Sequence, residues 1–262
     1  MQGYILCVQK QKNEDVIVRI LTQTHIATLY RFYGARHPIV HIGRKIDFTK
    51  EHNGTFMPKL RNVVHLGFAW ERDATRLYIW QHFIELLHQH LRDISSLEEQ
   101  YFSILDSSAK RLTSQNPKRV ILEAYAQILH LEGRIPSLNH CVICDEPLES
   151  EPNHNALESL ELGYLSSDEL STSLQALQEL RSATQEHFPK NTLSSAPVPI
   201  ARAPITHKPV AMLRGFLGAH TLCANAQILP HSKLESYLHS ASTIELDDEE
   251  IQHAYQVLLL GM

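Results

Sequence analysis

The chain has 262 residues, 43% hydrophobic and 20% charged, with 24 Lys/Arg against 29 Asp/Glu and a formal net charge of −5. That length allows one large domain or two of ordinary size, and the composition excludes a collagen, a coiled coil and a wholly disordered chain. No apolar run approaches the roughly 20 residues that cross a bilayer, Met1–Cys7 does not read as a signal peptide, and four cysteines are too few for a secreted disulfide scaffold, so a cytoplasmic location is expected.

The charge is segregated. Residues 1–70 hold ten Lys/Arg against four acids (Glu14, Asp15, Asp47, Glu51), a formal +6, which leaves 14 against 25, a formal −11, for the rest. A local positive field attracts polyanions whatever the total charge; two ordinary domains with unequal surfaces are the plainer alternative. The basic block has strand character. Tyr4–Val8, Val16–Leu21, Ile26–Tyr33, Arg44–Glu51 and Arg61–Trp70 are apolar, β-branched or alternating runs, separated by polar breaks and by the Asn53-Gly54 hairpin signal. Five short strands with no helical period predict a small closed barrel.

Beyond Trp70 the period becomes helical. Trp80, Phe83, Ile84, Leu87, Leu91 and Ile94 form one stripe. Ser96-Leu97-Glu98-Glu99 has the form of a capping box, opening a second helix with Tyr101, Leu105, Ala109 and Leu112 inward. Asn116-Pro117 begins a third, with Val120, Ile121, Ala124, Tyr125, Ile128 and Leu131 inward and Gly133 just past its end. Residues 148–204 are acidic and polar, then Pro-rich, and read as a partly disordered insertion or linker with a surface helix over 167–187. Helix is expected to resume over Pro209–Ala219 and to end with Asp247–Leu260, whose acidic first turn suits the positive end of a helix dipole.

Cys141-Val142-Ile143-Cys144 is the sharpest motif, because a CxxC turn points two thiolates at one tetrahedral ion. His220-Thr221-Leu222-Cys223, at the end of the expected helix, supplies a second pair at the same spacing. Cys141, Cys144, His220 and Cys223 would then form a closed, structural zinc site with no open position for a catalytic water. A redox dithiol and two unrelated thiols are the alternatives. Cys7 reads as a small core hydrophobe, and His82, His88 and His90 as surface residues without metal-pair spacing.

Rings and cations interleave in Tyr30-Arg31-Phe32-Tyr33-Gly34-Ala35-Arg36-His37, with Arg19 on the preceding strand. Bases stack on rings and phosphates pair with guanidinium groups, as single-stranded nucleic acid binding requires. An aromatic barrel interior with solvated arginines outside is the competing reading, and for Tyr30 and Phe32 it is the stronger one. The candidate DNA contacts are Arg19, Tyr30, Arg31, Tyr33, Arg36, Arg44, Lys45, Lys59 and Arg61. No phosphate loop, nucleophile elbow or Ser/His/Asp set stands out, and Glu98 and Glu99 are explained by capping, so the expectation is a protein that is not an enzyme.

The order Gly3-Tyr4-Ile5-Leu6, Glu14-Asp15-Val16-Ile17-Val18-Arg19-Ile20-Leu21-Thr22, Tyr33-Gly34-Ala35-Arg36 and Cys141-Val142-Ile143-Cys144-Asp145 resembles the RecO family of bacterial recombination mediators. The likeness covers 1–147 well and 205–262 loosely, and His220-x-x-Cys223 stands where a second CxxC is usual. It implies an α+β chain, β then α: a five-stranded OB-fold barrel (1–71) followed by an all-helical zinc-containing domain (72–147 and 205–262) interrupted by the 148–204 segment. It further implies binding of single- and double-stranded DNA, strand annealing, and action with RecR and the C-terminal tail of single-stranded DNA-binding protein to load RecA, in a cytoplasmic, nucleoid-associated setting without membrane or small-molecule substrate. A protein adaptor whose barrel is a mere scaffold, and a metal- or thiol-dependent enzyme using Cys141 and Cys144, remain the rivals.

Overall fold

The computed structural model of the chain describes residues 1–52, 54, 56–148 and 208–262. Five strands, β1 (Gln2–Lys10), β2 (Val16–Leu21), β3 (Ile26–Arg31), β4 (Lys45–Glu51) and β5 (Lys59–His65), close into a barrel in the order β1-β2-β3-β5-β4. β1 is antiparallel to both β2 and β4, and β3 meets β5 in parallel through Tyr30 and Lys59, the connectivity of an OB-type barrel. Alternation points Val18, Ile20, Ala27, Leu29, Ile46, Phe48 and Leu60 into the interior. β1 is buried on both faces: Ile5 fills the barrel, while Tyr4 and Leu6 join a second cluster formed with the helices. Gly54, at φ 59°, lies in the β4–β5 connection where a turn was expected; Asn53 falls outside the described residues. The last strand ends at His65 and not at Trp70, because the chain leaves the barrel to bury the Trp70 ring, whose Nε1 donates to the Ala109 carbonyl at 2.6 Å.

Helices α1 (Ala74–His90), α2 (Glu99–Arg111) and α3 (Pro117–Leu131) follow, with α4 (His231–Ser240) and α5 (Asp248–Leu258) nearer the C-terminus. Their ends are set by side chains. Asp73 accepts from the Thr75 and Arg76 amides, Asn116 accepts from the Lys118 amide, and Asp247 and Glu250 form a reciprocal capping box. Gly133, at φ 63°, stops α3. Two expectations fail here. The Ser96–Glu99 box does not form: Glu98 precedes α2 without a side-chain cap, and Ser96 bridges His25. The Ile26 amide donates to Ser95 O and the Leu97 amide to Thr24 O, so main-chain bonds hold this segment extended against the β2–β3 turn. Ile94, expected on the α1 stripe, lies beyond the helix end and is exposed.

The helix expected over Pro209–Ala219 is replaced by strands. β6 (Pro209–Met212), β7 (Gly218–His220) and β8 (Gln227–Pro230) form a three-stranded sheet in the order β7-β6-β8. Gly215, at φ 73°, turns the chain between β6 and β7. A Cβ on Gly218 would come within 2.8 Å of Leu148 Cδ1, so a side chain there has no room. Among the described residues, the part after the barrel is therefore helices plus a small sheet. The surface helix expected over 167–187 lies outside the described residues, as does the rest of 149–207. Among the described residues no helix is long and apolar enough to cross a membrane.

Barrel and helices share polar anchors as well as a core. Trp80 Nε1 donates to the Gly43 carbonyl at 2.7 Å, and Tyr4 Oη donates to Asp106 Oδ1 at 3.0 Å. At the far end of α1, His90 Nε2 lies 2.6 Å from Glu132 Oε1, Tyr101 Oη donates to the same oxygen at 2.6 Å, and Arg134 pairs with Oε2 at 2.7 Å. His90 is thus a half-buried partner of a carboxylate and not a surface residue, and one edge of His88 is buried too. Burial pushes the Glu132 carboxyl up, but the hydrogen bonds from His90, Tyr101 and Arg134 outweigh it and bring it down to about 2. A depressed carboxyl contributes stability above its unfolded value of 4.5, and that contribution is lost as pH falls from there towards 2. Urea titrations should lose on the order of 2 kcal/mol of stability across that window. Glu132→Gln should flatten the loss; an unchanged acid limb would dismiss the site as its source.

Candidate metal centre and nucleic-acid interface

Cys141 and Cys144 lie on a turn after α3, and His220 and Cys223 on a turn after β7, not after a helix as expected. The ligand atoms of all four lie within 4.8 Å of one another. Cys144 Sγ is 3.3 Å from His220 Nδ1, Cys223 Sγ is 3.7 Å from Cys144 Sγ, and Cys223 Sγ is 3.8 Å from His220 Nδ1. A tetrahedral ion with bonds of about 2.3 Å to sulfur and about 2.0 Å to nitrogen sets ligand–ligand edges of about 3.5–3.8 Å, so these residues could hold a metal ion. Backbone geometry prepares the site. The Asp145 amide donates to Cys141 O at 2.9 Å, with Asp145 itself at φ 61°, and the Cys223 amide donates to His220 O at 3.0 Å. His220 Nε2 lies 3.1 Å from the Pro147 carbonyl; donating its proton there leaves the Nδ1 lone pair facing the thiols.

Three thiols this close cannot all ionise without a counter-charge. Burial raises the Cys141 thiol, but the amides of Cys144, His220 and Ile143 outweigh it and bring it down to about 7. Cys223 is pushed up to about 12 by burial, by its hydrogen bond to Cys144 and by the charge of Cys141. A cation reverses that opposition, because it stabilises all the thiolates together.

The barrel residues split into two groups. Ala27 and Leu29 face inward, so Arg31 continues their parity and is half-buried at the barrel end, its Nη1 donating to Leu60 O at 3.4 Å. Burial, and then the nearby Arg61, lower its pKa. Tyr30 and Phe32 therefore face outward, contrary to the barrel-interior reading, with Phe32 45% exposed. Their rings meet edge to face at 5.1 Å. The buried Asp15 carboxylate positions this region, accepting from Tyr30 Oη through Oδ2 and from the Tyr33 amide at 2.7 Å through Oδ1. Arg36 lies over the Tyr33 ring at 5.4 Å and pairs with Glu14; Arg61 pairs with Glu51 at 2.6 Å; Lys59 Nζ lies over the Phe32 ring at 5.2 Å. Phe56 (78% exposed) and Met57, from the β4–β5 connection, join Tyr30, Phe32 and Lys59 around one depression of about 560 Å³. Asp15, Phe56 and Met57 had not been singled out from sequence. Two large apolar residues directly after a hairpin turn were the available signal.

The second group has structural partners. Arg19 Nη2 donates to Leu91 O at 3.2 Å and so caps the C-terminal end of α1. Lys45 is half-buried against Asp106 and the rings of Tyr4 and Phe102. Both were expected at the DNA surface and are instead held between barrel and helices. Arg44 is half-buried just before β4, away from the Tyr30–Lys59 contacts. Cys7, expected in the core, is half-buried and lines a groove between β1 and α1 with His37, His41, Glu85 and His88; burial raises its thiol.

The described residues thus form an OB-type barrel with an outward aromatic and basic face, followed by helices and a Cys/His cluster that could hold a metal. Residues 1–71 match the family model described as RecO N terminal, so this segment is a RecO-like N-terminal domain. No curated protein matches the chain.

Proposed function

We propose that the chain is a non-catalytic mediator of recombination repair that binds single- and double-stranded DNA on the barrel and anneals complementary strands. The observation that carries this reading is the outward face built from Tyr30, Phe32, Tyr33, Arg36, Lys59 and Arg61 on a barrel that matches the RecO N-terminal model. Neutralising two phosphate backbones on one basic surface lowers the repulsion that opposes strand pairing. By the same likeness its partners are RecR and the tail of single-stranded DNA-binding protein, with RecA loading as the outcome. The ion in the Cys141, Cys144, His220 and Cys223 site is zinc in a structural role, since thiolates and imidazole in a closed tetrahedron suit it.

Affinity for single strands should fall on the order of 10- to 100-fold between about 50 and 200 mM salt, with a shallower slope in the Arg36→Ala, Arg61→Ala double variant. Salt-independent binding, or none, would sink the reading. A second reading, the protein adaptor, is favoured by the acidic partners that Arg36 and Arg61 already have within the chain. It predicts strand annealing no faster than without protein.

A further inference from the structure

We infer that the depression between β3 and the β4–β5 connection is a receptor for one unpaired nucleobase, which lets the barrel distinguish single strands from duplex. The inference rests on the proposed binding of nucleic acid by this face and adds to it where, and by what chemistry, a base is held. Its walls are Tyr30, Phe32, Phe56 and Met57, with Lys59 at the side. Exposed rings on a small barrel are costly unless something covers them, and here Phe32 and Phe56 leave large apolar area open in one place. The volume of about 560 Å³ accommodates a base with space to spare.

Two features select a base over an apolar protein side chain. The Tyr30 ring is fixed at its hydroxyl by Asp15 and stands edge-on to the Phe32 ring, with centroids 5.1 Å apart. Flat rings suit a flat π-face, and every base presents one. Cations also stand beside it: the Lys59 ammonium lies over Phe32, and the guanidinium of Arg31 lies near that of Arg61, itself paired with Glu51, on the neighbouring strand. A base entering the depression brings its own phosphate to these charges. A base inside a duplex is already stacked on both faces and cannot enter.

The test compares fluorescence-anisotropy titrations of an oligothymidylate, the same phosphodiester strand carrying abasic sites, and a duplex, using the full chain. Wild type should prefer the base-bearing strand over the abasic strand by about 10-fold or more. Phe32→Ala with Phe56→Ala should abolish that preference, lowering affinity for the base-bearing strand to that for the abasic strand, and Phe32→Trp should keep it. Both rings are exposed, so circular dichroism of the double variant should match wild type. Equal wild-type affinity for base-bearing and abasic strands overturns the receptor but leaves salt-dependent binding by the face intact. Equal loss of affinity for the base-bearing and the abasic strand in the double variant also overturns it. Absence of binding to all three probes overturns both the receptor and the proposed function. Preference lost on adding an acidic peptide, but retained in the double variant, would assign the depression to a protein partner instead.

Discussion

Stripping the metal with a chelator, or replacing Cys141 and Cys144 by serine, should unfold the β6–β8 sheet and the two ligand turns while the barrel stays closed. The two ligand pairs come from segments about eighty positions apart in the chain, and the Val142 amide donates to Gly218 O at 3.1 Å directly beside them. An ion held by both pairs would therefore close a long loop, and strands of three or four residues would have little stability without it. Structural zinc contributes about 10–16 kcal/mol of apparent binding energy in small zinc-dependent peptides, against a total stability of about 5–15 kcal/mol for a typical domain. Even a fraction of that, several kcal/mol, decides whether this segment is ordered. Hydrogen exchange should report lost protection over 138–148 and 209–230, with the β2–β3 amides little changed, since the barrel has its own interior cluster. Elemental analysis should give one zinc per chain in wild type and sharply less in Cys223→Ser. Unchanged protection after full metal removal would make the cluster a set of thiols with no structural ion.

Much of this site was legible because its chemistry is local. CxxC and HxxC place each pair by a single turn, and only the pairing of the two turns needs the fold. β2 and α3 were equally plain: β2 is a β-branched run, and α3 has Asn116, Pro117 and Gly133 as punctuation around a six-residue stripe. The segment 209–220 was not, because strands this short carry no measurable period and Val210, Ala211 and Met212 suit a buried helix as well as a buried strand.

The partners of Arg19 and Lys45 were not legible for a different reason. Alternation separates the two faces of a strand but does not say what lies beyond each. Outside β1 and β4 stand α1 and α2, so Lys45 points into a protein interface; Arg19 on β2 meets the end of α1. Outside β3 and β5 the rings and side chains meet solvent. Parity counted from Ala27 and Leu29 would have turned Arg31 inward and Phe32 outward; the aromatic character of Phe32 suggested the opposite.

Asp106→Ala should be among the most destabilising single substitutions in the chain, costing about 3–5 kcal/mol by urea denaturation. Asp106 receives the Tyr4 hydroxyl, Lys110 at 2.8 Å and the Lys45 ammonium, and the side chains of Lys45 and Asp106 are only 12% and 17% exposed. Burial raises the Asp106 carboxyl, but the hydrogen bonds from Lys110, Lys45 and Tyr4 outweigh it and hold it below its usual range. Removing the carboxylate leaves the Lys45 ammonium buried between the Tyr4 and Phe102 rings, at 5.8 and 5.5 Å, where cation–π attraction recovers only part of the lost pairing. Adding Lys45→Met to Asp106→Ala should therefore restore most of the stability, because an apolar chain of similar length suits two rings. A loss under about 1 kcal/mol in Asp106→Ala, or no rescue in the pair, would show that the ammonium escapes to solvent. The same double variant also decides the role of Lys45 in DNA binding. A lysine neutralised by Asp106 releases no counterion, so the salt slope should equal that of wild type, whereas a phosphate contact would make it shallower by about one.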